Sequence, residues 1–492
     1  MPLFAPETEW VAPEELKDLS GCKEVAIDLE TCDPELTTLG SGNVIGRGHI
    51  AGVAVAVEGW KGYFPIGHEG GGNMDRKLVL QWVQDLVNQE KTTFIFHNAM
   101  YDVCWLRQAG IKIRGKIVDT MIAASLIDEN RMSYALNTLA KFYVGIGKDE
   151  KVLQEAAKSY SVNPKSEMYK LPAMYVGEYA ERDAEATLKL WQRLSTELVN
   201  QELMDVFNLE TKLFPCLVDM RFKGVRVDLE HAANLKKNLI VRENKILSKI
   251  KELTGINVEI HAARSIAKAF DKLKLPYDRT EKSNEPSFTK NFLQNHPHEL
   301  ARSIADAREI NKAHTTFIDS ITKHSAKGRI HADINQIRSD QGGTVTGRFS
   351  MSNPNLQQIP ARHPELGPMI RSIFIPEENT KWGSFDYSQQ EPRILVHYAK
   401  LQNLEGVDEI VNAYNDKKKP ADFHQVVADM AGIERKQAKT INLGLMYGMG
   451  KNKLMSELGL MKESAEKLIK QYHAKAPFVK ELMTNVTRKA ED

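Results

Sequence analysis

Four carboxylates and one phenol in the first half of the sequence have a spacing that suits metal-assisted chemistry. Asp28 and Glu30 lie two residues apart in EVAIDLET, so a strand there points both carboxylates to one face. Asp102 follows the apolar run TTFIF, while Tyr179 and Asp183 lie four apart on one side of a predicted helix. Carboxylate oxygens are ligands that Mg²⁺ prefers. Each feature alone also fits a solvated strand, a surface acid or a partly buried tyrosine.

Taken in order, these residues form the pattern D-x-E, N-x-x-x-D and Y-x-x-x-D. The pattern resembles the motifs of the D-E-D-D-Y 3′–5′ proofreading exonucleases, which have a ribonuclease-H-like fold. Two hard ions about 3.5–4 Å apart can stabilise both the attacking water and the leaving 3′-oxygen of a phosphodiester. The resemblance implies that Tyr179 orients this water. It also implies that two Mg²⁺ or Mn²⁺ ions are held by Asp28, Glu30, Asp102 and Asp183.

Residues 344–360 carry a second motif, TVTGRFSMSNPNLQQIP. This motif resembles the T-G-R and P-N-L-Q signature of family A DNA polymerases, and FKGVRVD ahead of it resembles the start of that family's thumb. The resemblance implies that Arg348, Asn355 and Gln357 contact the primer–template. Arg348 would lie in the minor groove beside the last base pair, where its fork of donors suits base and sugar acceptors. In isolation the motif also fits a Gly-rich turn whose arginine pairs with a nearby acid.

The segment WGSFDYSQQEPR resembles motif A of the same family. Asp386, expected at the end of an apolar strand, would hold two catalytic metal ions, with the Tyr387 carbonyl as a further oxygen ligand. Tyr387 and Gln389 are therefore assigned to the nucleotide site. Glu391 would be the steric gate that crowds a ribose 2′-hydroxyl.

The segment ERKQAKTINLGLMYGMG resembles motif B, the fingers helix, whose stripe of residues repeats every four positions: Arg435, Lys439, Leu443 and Tyr447. The basic end of this stripe suits a triphosphate, and its apolar and aromatic end suits a nascent base pair. His424, in ADFHQ, matches a further triphosphate contact. Leu443 stands where the family usually has Phe or Tyr. An ordinary amphipathic helix with a basic rim is the alternative, which three glycines in fixed places disfavour.

Family A palms carry a second metal-binding aspartate in a His-Asp-Glu motif, and the 492 residues contain no such tripeptide. With a single palm carboxylate, two-metal phosphoryl transfer should be badly impaired. We therefore expect this chain to be the larger part of a polymerase that a second polypeptide completes, as in a split phage-type polymerase. A frameshift and an artificial truncation stay open.

Three functions are compatible with these motifs. The first is a template-directed DNA polymerase with proofreading, which binds primer–template DNA and deoxynucleoside triphosphates. The second is a stand-alone 3′–5′ exonuclease that uses the polymerase body as a DNA clamp, and the third is a non-catalytic DNA-binding scaffold. Tight nucleotide binding would argue against the clamp, because a clamp has no use for Arg435, Lys439 and His424.

Composition sets the environment in which this chemistry would occur. Residues 1–195 contain 21 Lys and Arg against 27 Asp and Glu, whereas the remainder contains 45 against 38. An acidic first part and a basic second part suit a metal site followed by a body that binds a polyanion. The four cysteines form no C-x-x-C pair, and no apolar run reaches the roughly 18 residues that a membrane helix needs. These features predict a cytoplasmic protein without a membrane partner. The resemblance implies a bacterial or phage-infected host cell.

The elements that must position these residues can also be predicted. Alternating apolar residues predict a mixed sheet with a helix near 76–89 in the first 110 residues, and the pattern turns helical from about Asp119. Leucine and isoleucine spacing predicts a helix over 229–254 with Gly255 as its C-cap. The resemblance implies an α/β exonuclease domain, a helical thumb, and an α+β partial palm with fingers. We place these at 1–195, 200–330, 331–420 and 421–492.

Overall fold

The computed structural model describes residues 5–147, 150–280, 282–340, 342–361, 363–416, 422–458 and 461–491. Contacts along the chain divide it into two compact units, Met1–Lys381 and Trp382–Asp492. No helix in the described ranges is both long enough and apolar enough to cross a membrane.

The first unit begins with a five-stranded mixed sheet in the order β3-β2-β1-β4-β5. Strand β1 pairs antiparallel with β2 and parallel with β4, so it lies at the centre of the sheet. The predicted sheet is therefore confirmed. Its strands are β1 Glu24–Cys32, β2 His49–Val57, β3 Trp60–Pro65, β4 Thr93–Phe96 and β5 Lys116–Asp119.

Helices cover both faces of this sheet. Strand β2 is buried at eight of its nine positions because α7 packs on one face, while α2 and α3 pack on the other. A strand buried on both faces reads as a continuous apolar run, which is why HIAGVAVAV hardly alternates. The helices of this part are α1 Leu36–Leu39, α2 Arg76–Val87, α3 Ala99–Gln108, α4 Thr120–Ile127, α5 Leu136–Val144, α6 Lys151–Tyr160, α7 Gly177–Asn200 and α8 Met204–Lys223, with 3₁₀ turns at Met168–Lys170 and Ala173–Tyr175.

A group of helices follows, and its longest member is the helix that the sequence predicts. Helix α9 spans Leu229–Thr254, begins where the Asp228 side chain accepts a hydrogen bond from the His231 N–H, and ends at Gly255 with φ of 69°. The prediction is confirmed at both ends, because an acidic N-cap and a left-handed glycine leave clear signals. The other helices are α10 Ala263–Lys272, α11 Lys290–Asn295, α12 Glu299–Lys312 and α13 Asp319–Lys323, with a π-helical segment at Ala313–Ile318.

Short strands complete the first unit. A three-stranded sheet has the order β6-β10-β9, and two antiparallel ribbons are formed by β7 with β8 and by β11 with β12. The bounds are β6 Val225–Arg226, β7 Asp278–Arg279, β8 Pro286–Ser287, β9 Ser325–Ala326, β10 Arg329–Ile330, β11 Asp333–Asn335 and β12 Ser350–Ser352, followed by a 3₁₀ turn at Leu356–Gln358 and helix α14 Leu366–Arg371.

The regular secondary structure in the described residues of the second unit is helical, and this corrects one prediction. Asp386 was expected at the end of an apolar strand, but residues 382–388 form no strand. Trp382, Phe385 and Tyr387 are instead 60%, 97% and 81% exposed. A strand needs a neighbour for its backbone groups, and the described part of this unit provides none. The helices are α15 Gln390–Leu401, α16 Val407–Asn415, α17 Phe423–Ala431, α18 Arg435–Met446, α19 Lys451–Leu458, α20 Lys462–Lys475 and α21 Pro477–Glu491.

Candidate active sites

The first two carboxylates lie on the central strand of the sheet. Asp28 pairs with Ala54 and Glu30 with Gly52 across the antiparallel β1–β2 ladder, and the register shifts immediately after Glu30. Both acids are half-buried on one face, as their spacing predicts. The Tyr63 ring fills the space at Gly52, where any side chain would overlap it. Gly52, the pairing partner of Glu30 on β2, therefore leaves room for the Tyr63 ring.

Asp102 approaches this strand from the first turn of α3. Its Oδ1 accepts a hydrogen bond of 3.1 Å from the Leu29 N–H, between the two acids of β1. Asp102 is only 4% exposed. Burial first and the Asp28 charge second raise the pKa of its carboxyl well above the usual value.

A further acid, Asp119, holds the turn that carries Asp102. Its carboxylate accepts hydrogen bonds from the Asn98 and Ala99 N–H groups at 3.0 and 2.8 Å. A third bond, from the Met121 N–H at 2.8 Å, caps α4. Burial raises the pKa of Asp119 to about 6. The sequence analysis assigned Asp119 no role, although an aspartate just before a helical pattern is an N-cap signal.

Helix α7 supplies the remaining pair. Tyr179 and Asp183 lie one turn apart, and Asp183 is 8% exposed. The pKa of the Tyr179 phenol is raised by burial and then by the charges of Asp183, Glu30 and Asp28. Since these charges act on one phenol, and Asp28 also acts on Asp102, the structure brings the five predicted exonuclease residues together.

The donor set fits a hard divalent cation. Its ligands would be carboxylate oxygens. Asp102 and Asp183 are nearly buried, and the Asp102 carboxylate repels the charge of Asp28. A cation would relieve that repulsion, and Mg²⁺ prefers such oxygens. Within the described ranges, no three His, Cys, Asp or Glu side chains form a ready-made metal cage. The charges of the acids thus affect one another's surroundings, but the side chains are not arranged as a complete set of metal ligands.

The predicted DNA-contacting residues lie in the loops around β12. Arg348 is exposed, and its carbonyl accepts a 2.8 Å hydrogen bond from the Thr344 hydroxyl. Asn355 caps the following 3₁₀ turn by accepting from the Gln357 N–H at 3.0 Å. Gln357 in turn donates to the Phe349 carbonyl at 3.0 Å. Asn355 and Gln357 therefore also shape the loop that presents Arg348.

In the second unit, the segment that carries Asp386 ends in a left-handed residue. Asp386 and Tyr387 are exposed, and Gln389 has φ of 53°. The Gln389 side-chain oxygen accepts hydrogen bonds from the Phe423 N–H at 2.9 Å and from the Tyr414 hydroxyl at 3.3 Å. Gln389 therefore connects this segment to the start of α17.

The motif B residues lie along and just beyond α18. The Tyr447 hydroxyl donates to Glu391 Oε1 at 3.1 Å, which joins the end of the fingers stripe to the predicted steric gate. Arg435 Nε donates to Asp422 Oδ2 at 2.5 Å. Leu443 is half-buried against the apolar cluster of this unit.

His424, the other predicted triphosphate contact, lies on α17 and is 2% exposed. Its Nδ1 faces the Asn442 amide at 3.0 Å, a partner that the sequence motifs did not indicate. Burial lowers the pKa of the His424 imidazole below its ordinary value.

Comparisons with known proteins agree with this geometry. Residues 229–492 match the family model of DNA polymerase family A, and residues 7–199 match a 3′-5′ exonuclease model. A DNA-directed DNA polymerase of Pseudomonas phage M6 is 38% identical over 484 residues, which are 93% of this chain and 72% of that protein. The DNA polymerase DpoZ of Salmonella phage PMBT28 is 31% identical over 90% of this chain and 72% of its own length.

More distant relatives give the same result. DNA polymerase I of Geobacillus stearothermophilus is 30% identical over 84% of this chain, and the chain spans 46% of that protein. The solved POL domain of Pol1 from M. smegmatis, in complex with DNA primer-template and dNTP, shares the fold with a TM-score of 0.74. That match has 20% identity and covers 96% of this chain and 76% of that one.

The two family models and the similar proteins show a DNA-directed DNA polymerase with a 3′–5′ exonuclease domain. The chain belongs to DNA polymerase family A. The predicted family, fold class and enzyme class are confirmed.

Proposed function

We propose that the N-terminal domain removes nucleotides from the 3′ end of a primer. Asp28, Glu30, Asp102 and Asp183 would hold two Mg²⁺ or Mn²⁺ ions, which stabilise charge on the attacking and leaving oxygens when bound. The Tyr179 hydroxyl would orient the attacking water. The observation that supports this most directly is the 3.1 Å hydrogen bond to Asp102 from the N–H of Leu29, which lies between Asp28 and Glu30 on β1. The Tyr179 phenol is near enough to Asp183, Glu30 and Asp28 for their charges to raise its pKa.

The rest of the chain would extend the primer from a template. In this proposal residues 200–330 form the thumb, 331–420 the palm and 421–492 the fingers. Arg348, Asn355 and Gln357 would contact primer–template DNA, and Asp386 with the Tyr387 carbonyl would hold the catalytic ions.

The fingers would receive the incoming deoxynucleoside triphosphate. Arg435, Lys439 and His424 would contact its phosphates, while Leu443 and Tyr447 would face the nascent base pair. The Tyr447 bond to Glu391 supports the role of Glu391 as the gate against ribose, because it fixes that side chain. Tyr387 and Gln389 complete this site, with Gln389 attached to the start of α17.

The second palm carboxylate would come from residues other than these 492, since they contain no His-Asp-Glu. A second polypeptide is our preferred source. Polymerase activity would then appear when that polypeptide is added, and the chain alone would show only the nuclease. Extension by the chain alone would contradict this part of the proposal.

A single assay separates the two activities. The parent chain and Asp28→Ala/Glu30→Ala are incubated with a matched primer–template, Mg²⁺ and either no nucleotide or all four deoxynucleotides. We expect the parent to shorten the primer and the double variant to leave it intact. Asp85→Ala/Glu90→Ala, which changes two acids at the end of α2 and just beyond it, is the matched control and should degrade like the parent. Equal degradation by the double variant would overturn the nuclease assignment.

A further inference from the structure

Asn442 is a polar residue in an apolar position. It is 0% exposed on the face of α18 that also carries Ala438, Ile441 and Leu445. Burying an amide costs free energy unless its donors and acceptors are paired. The pairing of Asn442 is therefore informative about what the residue does.

Asn442 connects three helices through two hydrogen bonds. Its Nδ2 faces Nδ1 of His424 on α17 at 3.0 Å, and its Oδ1 accepts from the Tyr472 hydroxyl of α20 at 2.9 Å. Tyr472 is 1% exposed. In this arrangement the Tyr472 hydroxyl donates to the amide oxygen, and the NH₂ group faces the imidazole.

This orientation decides where the histidine carries its proton. An amide NH₂ only donates, so the Nδ1 atom it faces must accept and must be unprotonated. A neutral imidazole has one N–H group, which is then on Nε2. A phosphate oxygen accepts hydrogen bonds, so an imidazole can bond to it only by donating from an N–H group.

We propose that Asn442, oriented by Tyr472, fixes His424 as the Nε2–H tautomer and thereby makes it a permanent donor to the triphosphate. Asn442 and Tyr472 are in this view positioning residues that act through His424. The inference rests on the proposed role of His424 in triphosphate binding.

The surroundings of His424 explain why a neutral donor is useful. Burial and the charges of Arg435 and Lys439 lower the pKa of the imidazole, although Asp422 opposes them. A protonated ring would add a third positive charge beside two others. A neutral ring with a fixed N–H still provides a hydrogen bond and avoids that repulsion.

Nitrogen NMR on the full chain tests the tautomer directly. The chain is labelled with ¹⁵N-histidine, and the His424 signals are assigned as those lost in His424→Gln. We expect a protonated Nε2 and an unprotonated Nδ1 at pH 7.5. A protonated Nδ1 in the parent would overturn the inference.

Variants test the consequence. Asn442→Asp has nearly the same shape but only accepts, so it should move the proton to Nδ1 and weaken binding of Mg²⁺-bound dTTP about tenfold, the value of one typical hydrogen bond. Asn485→Asp is the matched control, since Asn485 on α21 is half-buried and bonds to Gln402; it should bind like the parent. If Asn442→Asp moves the His424 proton to Nδ1 but binds Mg²⁺-bound dTTP as tightly as the parent, the proposed positioning role is overturned.

The two proposals fail separately. If His424→Gln binds dTTP as tightly as the parent, then the assignment of His424 to the triphosphate site is wrong. The tautomer measured by NMR is independent of that result, because it is recorded without nucleotide.

Discussion

At the scale of single residues, the exonuclease site depends on how charge is placed around one phenol. Tyr179 lies among three carboxylates that all raise its pKa, so its hydroxyl is protonated throughout the physiological range. A neutral hydroxyl can both donate to a carboxylate and accept from a water molecule. This is the property that an orienting group needs.

Tyr179→Phe should therefore separate chemistry from folding. We expect excision from a single-stranded primer to slow about 100-fold, within the range for positioned proton-handling groups, while the melting temperature changes little because the ring remains. Tyr160→Phe is a suitable control, since Tyr160 packs on Tyr175 away from the acids. Single-turnover excision with saturating Mg²⁺ measures the excision rate of both variants. An excision rate in Tyr179→Phe equal to that of the parent would exclude the orienting role.

Leu443 allows a second prediction at this scale. The family usually has Phe or Tyr at this position, where the ring helps to sense the 3′-hydroxyl of the incoming nucleotide, and Leu443 is a half-buried aliphatic side chain. Leu443→Tyr should increase incorporation of dideoxynucleotides relative to deoxynucleotides. The ratio of dideoxynucleotide to deoxynucleotide incorporation is measured in the Asp28→Ala/Glu30→Ala background. The assay uses the chain together with the proposed second polypeptide, so that primers are extended. Unchanged chain termination would contradict the prediction, and Leu443→Ile provides an aliphatic control.

At the scale of elements, the sequence predicts those parts that local signals determine. Helix α9 could be bounded because Asp228 and Gly255 act within a few residues of their own position. The shared face of Asp28 and Glu30 follows from strand alternation alone. These predictions need no knowledge of distant residues.

Predictions that depend on a distant partner were less successful. The strand expected to end at Asp386 is wrong, because a strand exists only with a neighbour and the described residues provide none. Asn442 and Asp119 were missed because their partners lie on other elements, as His424 does for Asn442. The roles of the polymerase residues stay predictions.

Strand β3 and the loop after it provide a test of pH dependence. His68 is 3% exposed, and its ring nitrogens bond to the Tyr63 hydroxyl at 2.6 Å and the Leu171 carbonyl at 3.0 Å. Burial lowers the pKa of His68 to about 4 from its ordinary value of 6.5. The folded state therefore disfavours protonation, and the contribution of His68 to stability is complete above pH 6.5 and is lost as the pH falls toward 4.

We expect the first unit to lose about 2 kcal/mol of unfolding free energy between pH 7.5 and pH 5 through His68 alone. His68→Gln should be less stable at pH 7.5 and should lack that part of the pH dependence. Urea unfolding at both pH values measures the difference. His231→Gln, at an exposed histidine, is the control. A parallel loss of stability in His68→Gln and the parent would contradict the assignment.

At the scale of the whole first unit, one ion pair joins its sheet-bearing part to the ribbon formed by β11 and β12. Arg221 on α8 is 3% exposed and bonds to Asp333 of β11. Asn353 donates to the same carboxylate at 2.9 Å. Arg221 is buried and Asp333 is partly exposed. Removing the arginine leaves the carboxylate without its cation, which costs more than the pair itself contributes.

Arg221→Met should therefore destabilise the first unit by about 3–5 kcal/mol, and Arg221→Met/Asp333→Leu should recover part of that loss. Urea unfolding followed by circular dichroism measures both. Arg107→Met, which breaks an exposed ion pair with Asp219, should cost less than about 1 kcal/mol. A similar small cost for Arg221→Met would show that the buried pair does not hold these parts together.

The bond between Asp102 and the Leu29 N–H has a consequence for genetics. The donor is a peptide group, so every amino acid except proline at position 29 supplies it, and conventional scanning mutagenesis would report Leu29 only as an apolar strand residue. Replacement of that one peptide bond by an ester, through incorporation of a hydroxy acid, would remove the donor and keep the side chain. In the proposed nuclease, Leu29 would thus act through its backbone, and amino-acid substitution would leave that action hidden.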